Sequence, residues 1–177
     1  MNLAQYKVDW VEQPVGVYDV AGMSFLRKTV PVKLAIDQGA NTLEEVVHAI
    51  RVDAADVYVV GFHETGGLLG LKKVAACLEG ANLPLNRHGV LGETGISTLA
   101  ALQVLATIPN ITTGNQVMHQ LLTEDIIVDG LIKFKNGFIN VPDRPGLGIE
   151  LDRDRIMKFA RAYEKNGQYS INPIHCD

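Results

Sequence analysis

Short apolar runs alternate with segments of helical period along most of this chain. Residues 8–11 read as a strand that closes at Glu12. A helix is expected over Val20–Thr29 despite Gly22, followed by a second strand over 32–36 that closes at Asp37. Thr42-Leu43-Glu44-Glu45 opens a helix running to Ile50, with Thr42 as N-cap and Glu45 three residues on, the signature of a capping box. Val57–Val60 is a third strand, left at Gly61, and a Gly66-Gly67 turn leads into a helix over about 68–78 that Gly80 ends. Residues 83–86 form a short fourth strand. Residues 95–106 make a helix of small residues, broken by Pro109-Asn110, and 111–113 a fifth short strand.

Strands separated by helices imply parallel pairing with crossover connections, an α/β fold. The C-terminal part leaves that rhythm. Residues 130–142 have the period and the Asn136-Gly137 turn of a β-hairpin. A loop with Pro142, Pro145, Gly146 and Gly148 follows, then a helix over about 152–165. Residues 1–128 therefore carry the strands and their helices, and 129–177 a hairpin and helix that cover one end.

Composition narrows the functional classes. The chain has 177 residues, 47% of them hydrophobic and 20% charged, enough to bury a core and too apolar for disorder. A net charge of −4, with no basic run longer than Lys72-Lys73, argues against a nucleic-acid partner. Cys77 and Cys176 lack disulfide-framework or metal-ligand spacing, as expected of reduced cytoplasmic thiols. No signal-peptide core or bilayer-length apolar stretch is visible, so a cytoplasmic protein without a membrane partner is expected.

Candidate chemistry gathers where the strands stop. Glu12 and Asp37 close consecutive strands, so parallel pairing sets both acids at one sheet edge. They read either as turn carboxylates or as two oxygen ligands for a hard cation such as Mg²⁺. His88 follows the fourth strand on that same edge, either as a surface-loop histidine or as a general base or acid. Glu93 either caps the next helix or binds substrate. His63 and Glu64 lie at this edge too, before Gly66-Gly67. His48 reads as exposed or packed, and His119 and His175 carry no pattern. The Gly66-Gly67-Leu68-Leu69-Gly70 run could cradle phosphate, but it lacks a P-loop lysine and the dinucleotide glycine order.

Read together and in order, these motifs resemble the mandelate racemase/muconate lactonizing enzyme family of the enolase superfamily. Val11-Glu12-Gln13-Pro14 is similar to the E-Q-P that ends that family's fourth barrel strand, and Leu34-Ala35-Ile36-Asp37-Gln38 to the A-D-E of the fifth. Residues 55–67 are similar to the sixth strand and its loop. Pro142-Asp143-Arg144-Pro145-Gly146-Leu147-Gly148 is similar to the closing P-x-x-P-G-L-G signature.

The resemblance implies the C-terminal part of a (β/α)7β TIM-type barrel with a terminal hairpin and helix. It implies Mg²⁺ as cofactor, Glu12 and Asp37 as the second and third of three metal ligands, and a small carboxylate as substrate. The reaction it implies is abstraction of the proton α to that carboxylate, by a racemase, epimerase or dehydratase. His88 matches the seventh-strand histidine of the racemase-like members and becomes the catalytic group, without its aspartate partner. Gln38, where many members have glutamate, and Glu93 become substrate-binding positions. Gly61 stands where others have lysine or aspartate. The first three strands, the first ligand and the capping region have no expected counterpart in the chain. Two open sheet edges then imply a homo-oligomer or association with an N-terminal half. A non-catalytic relative that only binds a ligand or partner is the alternative.

Overall fold

The computed structural model describes residues 3–111 and 114–167. Its centre is a four-stranded parallel sheet in chain order, β1 (Val11–Glu12), β2 (Leu34–Ile36), β3 (Val57–Val60) and β4 (Leu85–Arg87). Helices α1 (Val20–Thr29), α2 (Leu43–Arg51) and α3 (Leu68–Gly80) make the three crossovers. Helix α4 (Gly95–Leu105) follows β4, and α5 (Arg153–Asn166) closes the described chain. This is the expected α/β alternation; β3 has the expected limits, while β1, β2 and β4 start two or three residues later than expected.

Strand alternation divides the sheet into two faces. Leu34, Ile36, Tyr58, Val60 and Leu85 pack with Met23, Val46, Leu71, Val74 and Leu78 of the helices in the main core. Ala35, Val57 and Val59 point the other way and meet Trp10 in a small second cluster. One face is thus filled by helices, while the other carries small side chains.

Local chemistry starts the helices as the residues suggest. The Thr42 hydroxyl accepts from the Glu45 N–H at 3.2 Å, and the Glu45 carboxylate accepts from the Thr42 N–H at 2.9 Å, completing the capping box. Asp19 caps α1 and Asp152 caps α5 through the side chain alone, accepting from the Gly22 and Arg155 N–H groups. The Gly66-Gly67 turn has φ of +84° and +97°, conformations that favour glycine. Its N–H groups are used internally, Gly67 donating to the Phe62 carbonyl at 2.7 Å and Gly66 to that of His63 at 3.2 Å. The turn therefore caps α3 and presents no free phosphate cradle.

Two expectations change in extent. The hairpin over 130–142 reduces to its turn, a single antiparallel bridge between Lys135 and Phe138 around Asn136-Gly137. Phe134 and Phe138 are exposed there, and a two-stranded ribbon without a third strand or a helix beneath it is marginal. The expected strand over 111–113 falls partly on residues outside those described. Its neighbours still shield β4. The Leu85 N–H donates to the Asn110 carbonyl at 3.1 Å and the Gln116 N–H to that of Arg87 at 2.8 Å.

The capping box yields a stability prediction. Thr42→Ala should cost about 1 kcal/mol, a fall in midpoint of roughly 2–4 °C for a chain of this size. Thr42→Ser should hold close to the parent. Thermal denaturation followed by circular dichroism measures both.

Candidate active site

The ladder brings four strand ends to one edge of the sheet. Glu12 is the last residue of β1, while Asp37, Gly61 and His88 immediately follow β2, β3 and β4. Register aligns the last two directly, since Val60 pairs with Arg87.

Asp37 is the centre of the group. It is 6% exposed, and its Oδ1 is buried without a hydrogen-bond partner among the described residues. His88 Nε2 lies 3.8 Å from that oxygen and 3.7 Å from Glu64 Oε2, which is likewise buried and unpartnered. These separations exceed a direct hydrogen bond and suit a loose ionic contact. On the other side of the ring, Nδ1 lies 3.3 Å from the Gly89 carbonyl. Gln13, in an unusual positive-φ conformation, ties β1 to the Asp37 turn. Its Oε1 accepts from the Asp37 N–H at 3.0 Å and the Gly39 N–H at 3.4 Å. Thus the residue after Glu12 fixes the backbone that carries Asp37.

Like charges are crowded here. Burial raises the Asp37 carboxyl above its ordinary value, Glu64 pushes it further, and His88 and the Gln38 N–H oppose them. Partial burial raises Glu12 as well, with Asp37 adding to the effect and His88 opposing it. Two carboxylates that destabilise each other, one with an orphaned buried oxygen, fit a hard cation. Among the described residues no three His, Cys, Asp or Glu side chains are grouped at ligand distances, so this chain offers two acids rather than a closed cage.

Gln38 and Glu93, expected to bind substrate, go elsewhere. Gln38 is exposed and lines a surface groove with Tyr18, Glu44 and His48. Glu93 has no exposed side-chain surface. It forms a two-pronged ion pair with Arg87, Nη1 donating to Oε1 at 3.2 Å and Nη2 to Oε2. Oε1 also accepts from the Thr98 hydroxyl at 3.0 Å and the Met118 N–H at 3.0 Å. The Val90 N–H reaches Oε2 at 3.3 Å. Burial alone would raise this carboxyl, but Arg87 and the two backbone N–H groups outweigh it and hold Glu93 below its usual value. Every oxygen is spoken for, which corrects the substrate-binding expectation. Its role is to lock the loop that carries His88, because Arg87 is the residue before it.

Three contributors escaped the sequence reading: Gln13, Arg87 and the approach of Glu64 to His88. Gln13 stood in the E-Q-P motif, and Gly61 was the sign for Glu64, since a missing side chain leaves room for a neighbour. Nothing in the sequence marked Arg87, a cation that finishes a buried strand. The patternless His119 is also buried, its Nε2 2.9 Å from Asp125 Oδ2, which accepts from the Gly95 N–H at 2.8 Å. That pair anchors the start of α4. His63 is exposed, 3.1 Å from the Ser97 hydroxyl.

Two outcomes follow for stability. Arg87→Met or Glu93→Leu alone strands a buried charge and should cost about 3–5 kcal/mol, whereas the double variant should cost far less than the sum. Glu93, with its carboxyl lowered, contributes stability above its unfolded value of 4.5, and this is lost as pH falls through the folded value. Asp37 has the opposite sign. Its raised carboxyl contributes stability only below the unfolded value of 3.8, lost as pH rises through the folded one. Asp37→Asn should therefore unfold at higher denaturant than the parent at pH 7, with the difference vanishing near pH 3.

Comparison with known proteins identifies the family of this fold. Residues 1–155 match the family described as enolase C-terminal domain-like. Muconate cycloisomerase 1-1 of Acinetobacter lwoffii is 31% identical over 90% of this chain and 41% of its own length. The crystal structure of N-succinyl Arg/Lys racemase from Bacillus cereus ATCC 14579 superposes with a TM-score of 0.81 at 27% identity, over 88% of this chain and 41% of that one. An enolase from Gibberella zeae PH-1, crystallised with magnesium, formate and sulfate, gives 0.83 at 29% identity, over 93% and 38%. The chain spans about two fifths of the length of these proteins. It belongs to the enolase C-terminal domain-like family, in the mandelate racemase/muconate lactonizing enzyme branch, and corresponds to the C-terminal portion of that TIM-type barrel.

Proposed function

We propose that this chain carries the proton-transfer edge of an enzyme that removes the hydrogen α to a carboxylate. The substrate class is a hydroxy acid or sugar acid, and the outcome racemisation, epimerisation or dehydration. The observation that carries the reading is His88 Nε2 poised 3.8 Å from Asp37 Oδ1, a buried acid oxygen without a hydrogen-bond partner among the described residues.

Glu12 and Asp37 would hold Mg²⁺. When bound, the ion supplies fixed positive charge where carboxylate oxygens become enediolate oxygens. His88 Nε2 accepts the α-proton as the Cα–H bond breaks, and the electron pair moves toward the carboxylate. The positive charge that appears on the ring faces the carboxylates of Asp37 and Glu64. Return of the proton to Cα, or loss of a β-hydroxyl, completes the turnover. Gln13 keeps Asp37 in place, and the Arg87–Glu93 lock does so for His88. A relative that binds without turnover is the second reading, favoured by Gly61 at the position where other members carry a lysine or aspartate.

Calorimetric titration of the full chain with Mg²⁺ tests the reading first. Binding should weaken at least tenfold in Glu12→Gln and in Asp37→Asn, and should strengthen as pH rises and protons leave the two raised carboxyls. A panel of hydroxy acids and sugar acids in D₂O, followed by proton NMR, should show loss of the α-hydrogen signal. His88→Asn should slow that exchange by about 10²-fold or more while Mg²⁺ still binds. Absence of Mg²⁺ binding by the folded chain would sink the metal assignment. Mg²⁺ binding without exchange on any acid would favour the second reading.

A further inference from the structure

Gly61 is buried at the end of β3, and the space its side chain would fill is already taken. A Cβ built there would sit 2.0 Å from Glu64 Oε2 and 2.5 Å from both Cε1 and Nε2 of His88. Two side chains from different strand ends thus converge on one missing methyl group. No residue other than glycine fits without pushing both away, because contacts under 3.0 Å are not sustained.

From this geometry we propose that Glu64 is the positioning residue for the His88 ring. The His88 position lacks the aspartate partner that the family resemblance led one to expect, and Glu64 supplies the carboxylate from three residues along the chain. The backbone holds it there. The turn over 61–67 is closed by Gly67 N–H to the Phe62 carbonyl at 2.7 Å, and the Thr65 hydroxyl donates to the Gly61 carbonyl at 3.1 Å. These bonds bend the chain so that Glu64 returns over Gly61. Its Oε2 is buried and lies 3.7 Å from His88 Nε2. The carboxylate faces the Nε2 edge of the ring, where it stabilises the N–H that forms once that nitrogen takes up a proton. The opposite ring nitrogen faces the Gly89 carbonyl, another acceptor. His88 is thereby clamped edge-on between Glu64 and Asp37 on one side and backbone on the other.

The catalytic meaning of this clamp rests on the reading of His88 as the proton-transfer group, whereas the clamp itself is observable without metal or substrate. The experiment is solution NMR of the full chain labelled in histidine and glycine, with His88→Asn used to assign the ring signals. The parent should show a nuclear Overhauser contact between the His88 Cε1 proton and a Gly61 α-proton. Glu64→Gln keeps the shape and removes the charge. It should shift the His88 ring nitrogens and weaken that contact, while the ring signals of the buried His119 and the melting midpoint stay at parent values. Glu64→Asp, a shorter carboxylate, should bring the His88 signals back toward the parent. Unchanged His88 signals in Glu64→Gln, or a shift that Glu64→Asp fails to reverse, would overturn the assignment. Loss of Mg²⁺ binding or of α-hydrogen exchange with the clamp intact would count against the proposed function alone.

Discussion

The candidate site is a consequence of parallel register. Glu12 pairs with Ala35, Ile36 with Tyr58 and Val60 with Arg87. β1 and β2 each stop short of the end of the next strand, so the residues beyond them climb in steps, as strand tilt in a barrel requires, while β3 and β4 end level. Glu12 lies level with Ala35, Asp37 level with Val59, and Gly61 level with His88 by extension of these pairs. A slip of one residue in any strand would turn its terminal side chain to the opposite face. Register is held by the buried row Ile36, Tyr58, Val60 and Leu85 against the helices, all nearly inaccessible to solvent. The core that gives the fold its stability is thus the same device that aims its acids.

That aim has an electrostatic cost, and the structure sets it beside a compensating arrangement. Asp37, Glu64 and Glu12 crowd negative charge at the rim, and burial makes each unit of it more unfavourable. One strand further on, Glu93 is buried more completely and yet is held below its ordinary value, because Arg87 and backbone N–H groups surround it. The two carboxylate environments differ in whether a cation is supplied by the chain. Where it is supplied, the acid is a structural anchor. Where it is not, burial and neighbouring carboxylates leave the acid raised above its ordinary value.

Much of this was legible in the residues. Val20–Thr29 and Val57–Val60 appear with the expected limits, and the capping box of Thr42 and Glu45 appears with both hydrogen bonds. These are local rules, satisfied within four residues of sequence. The strand-end acids were legible for a related reason, since alternation of strand and helix fixes which edge each residue reaches. What could not be read was contact across the fold. Glu93 looks like a free carboxylate until Arg87 is known to end a buried strand six residues earlier. The hairpin at Asn136-Gly137 had the right turn chemistry, but ladder length depends on a packing surface that lies outside the turn. Gln38, in a motif position, is turned into the groove beside α1 and α2 by the same backbone that turns Asp37 inward.

Gly61 joins these strands of argument. In a motif comparison it counts as a loss, the place where a functional side chain is missing. In the folded chain its space is put to use, because the His88 ring and the Glu64 carboxylate occupy the volume that a Cβ would take unless both moved aside. Removing a side chain from one strand end admits a carboxylate from the following turn, so the charge near the histidine is retained while its attachment point moves along the backbone. The buried oxygens of Asp37 and Glu64, unpartnered among the described residues, both face the same histidine nitrogen from these two strand ends.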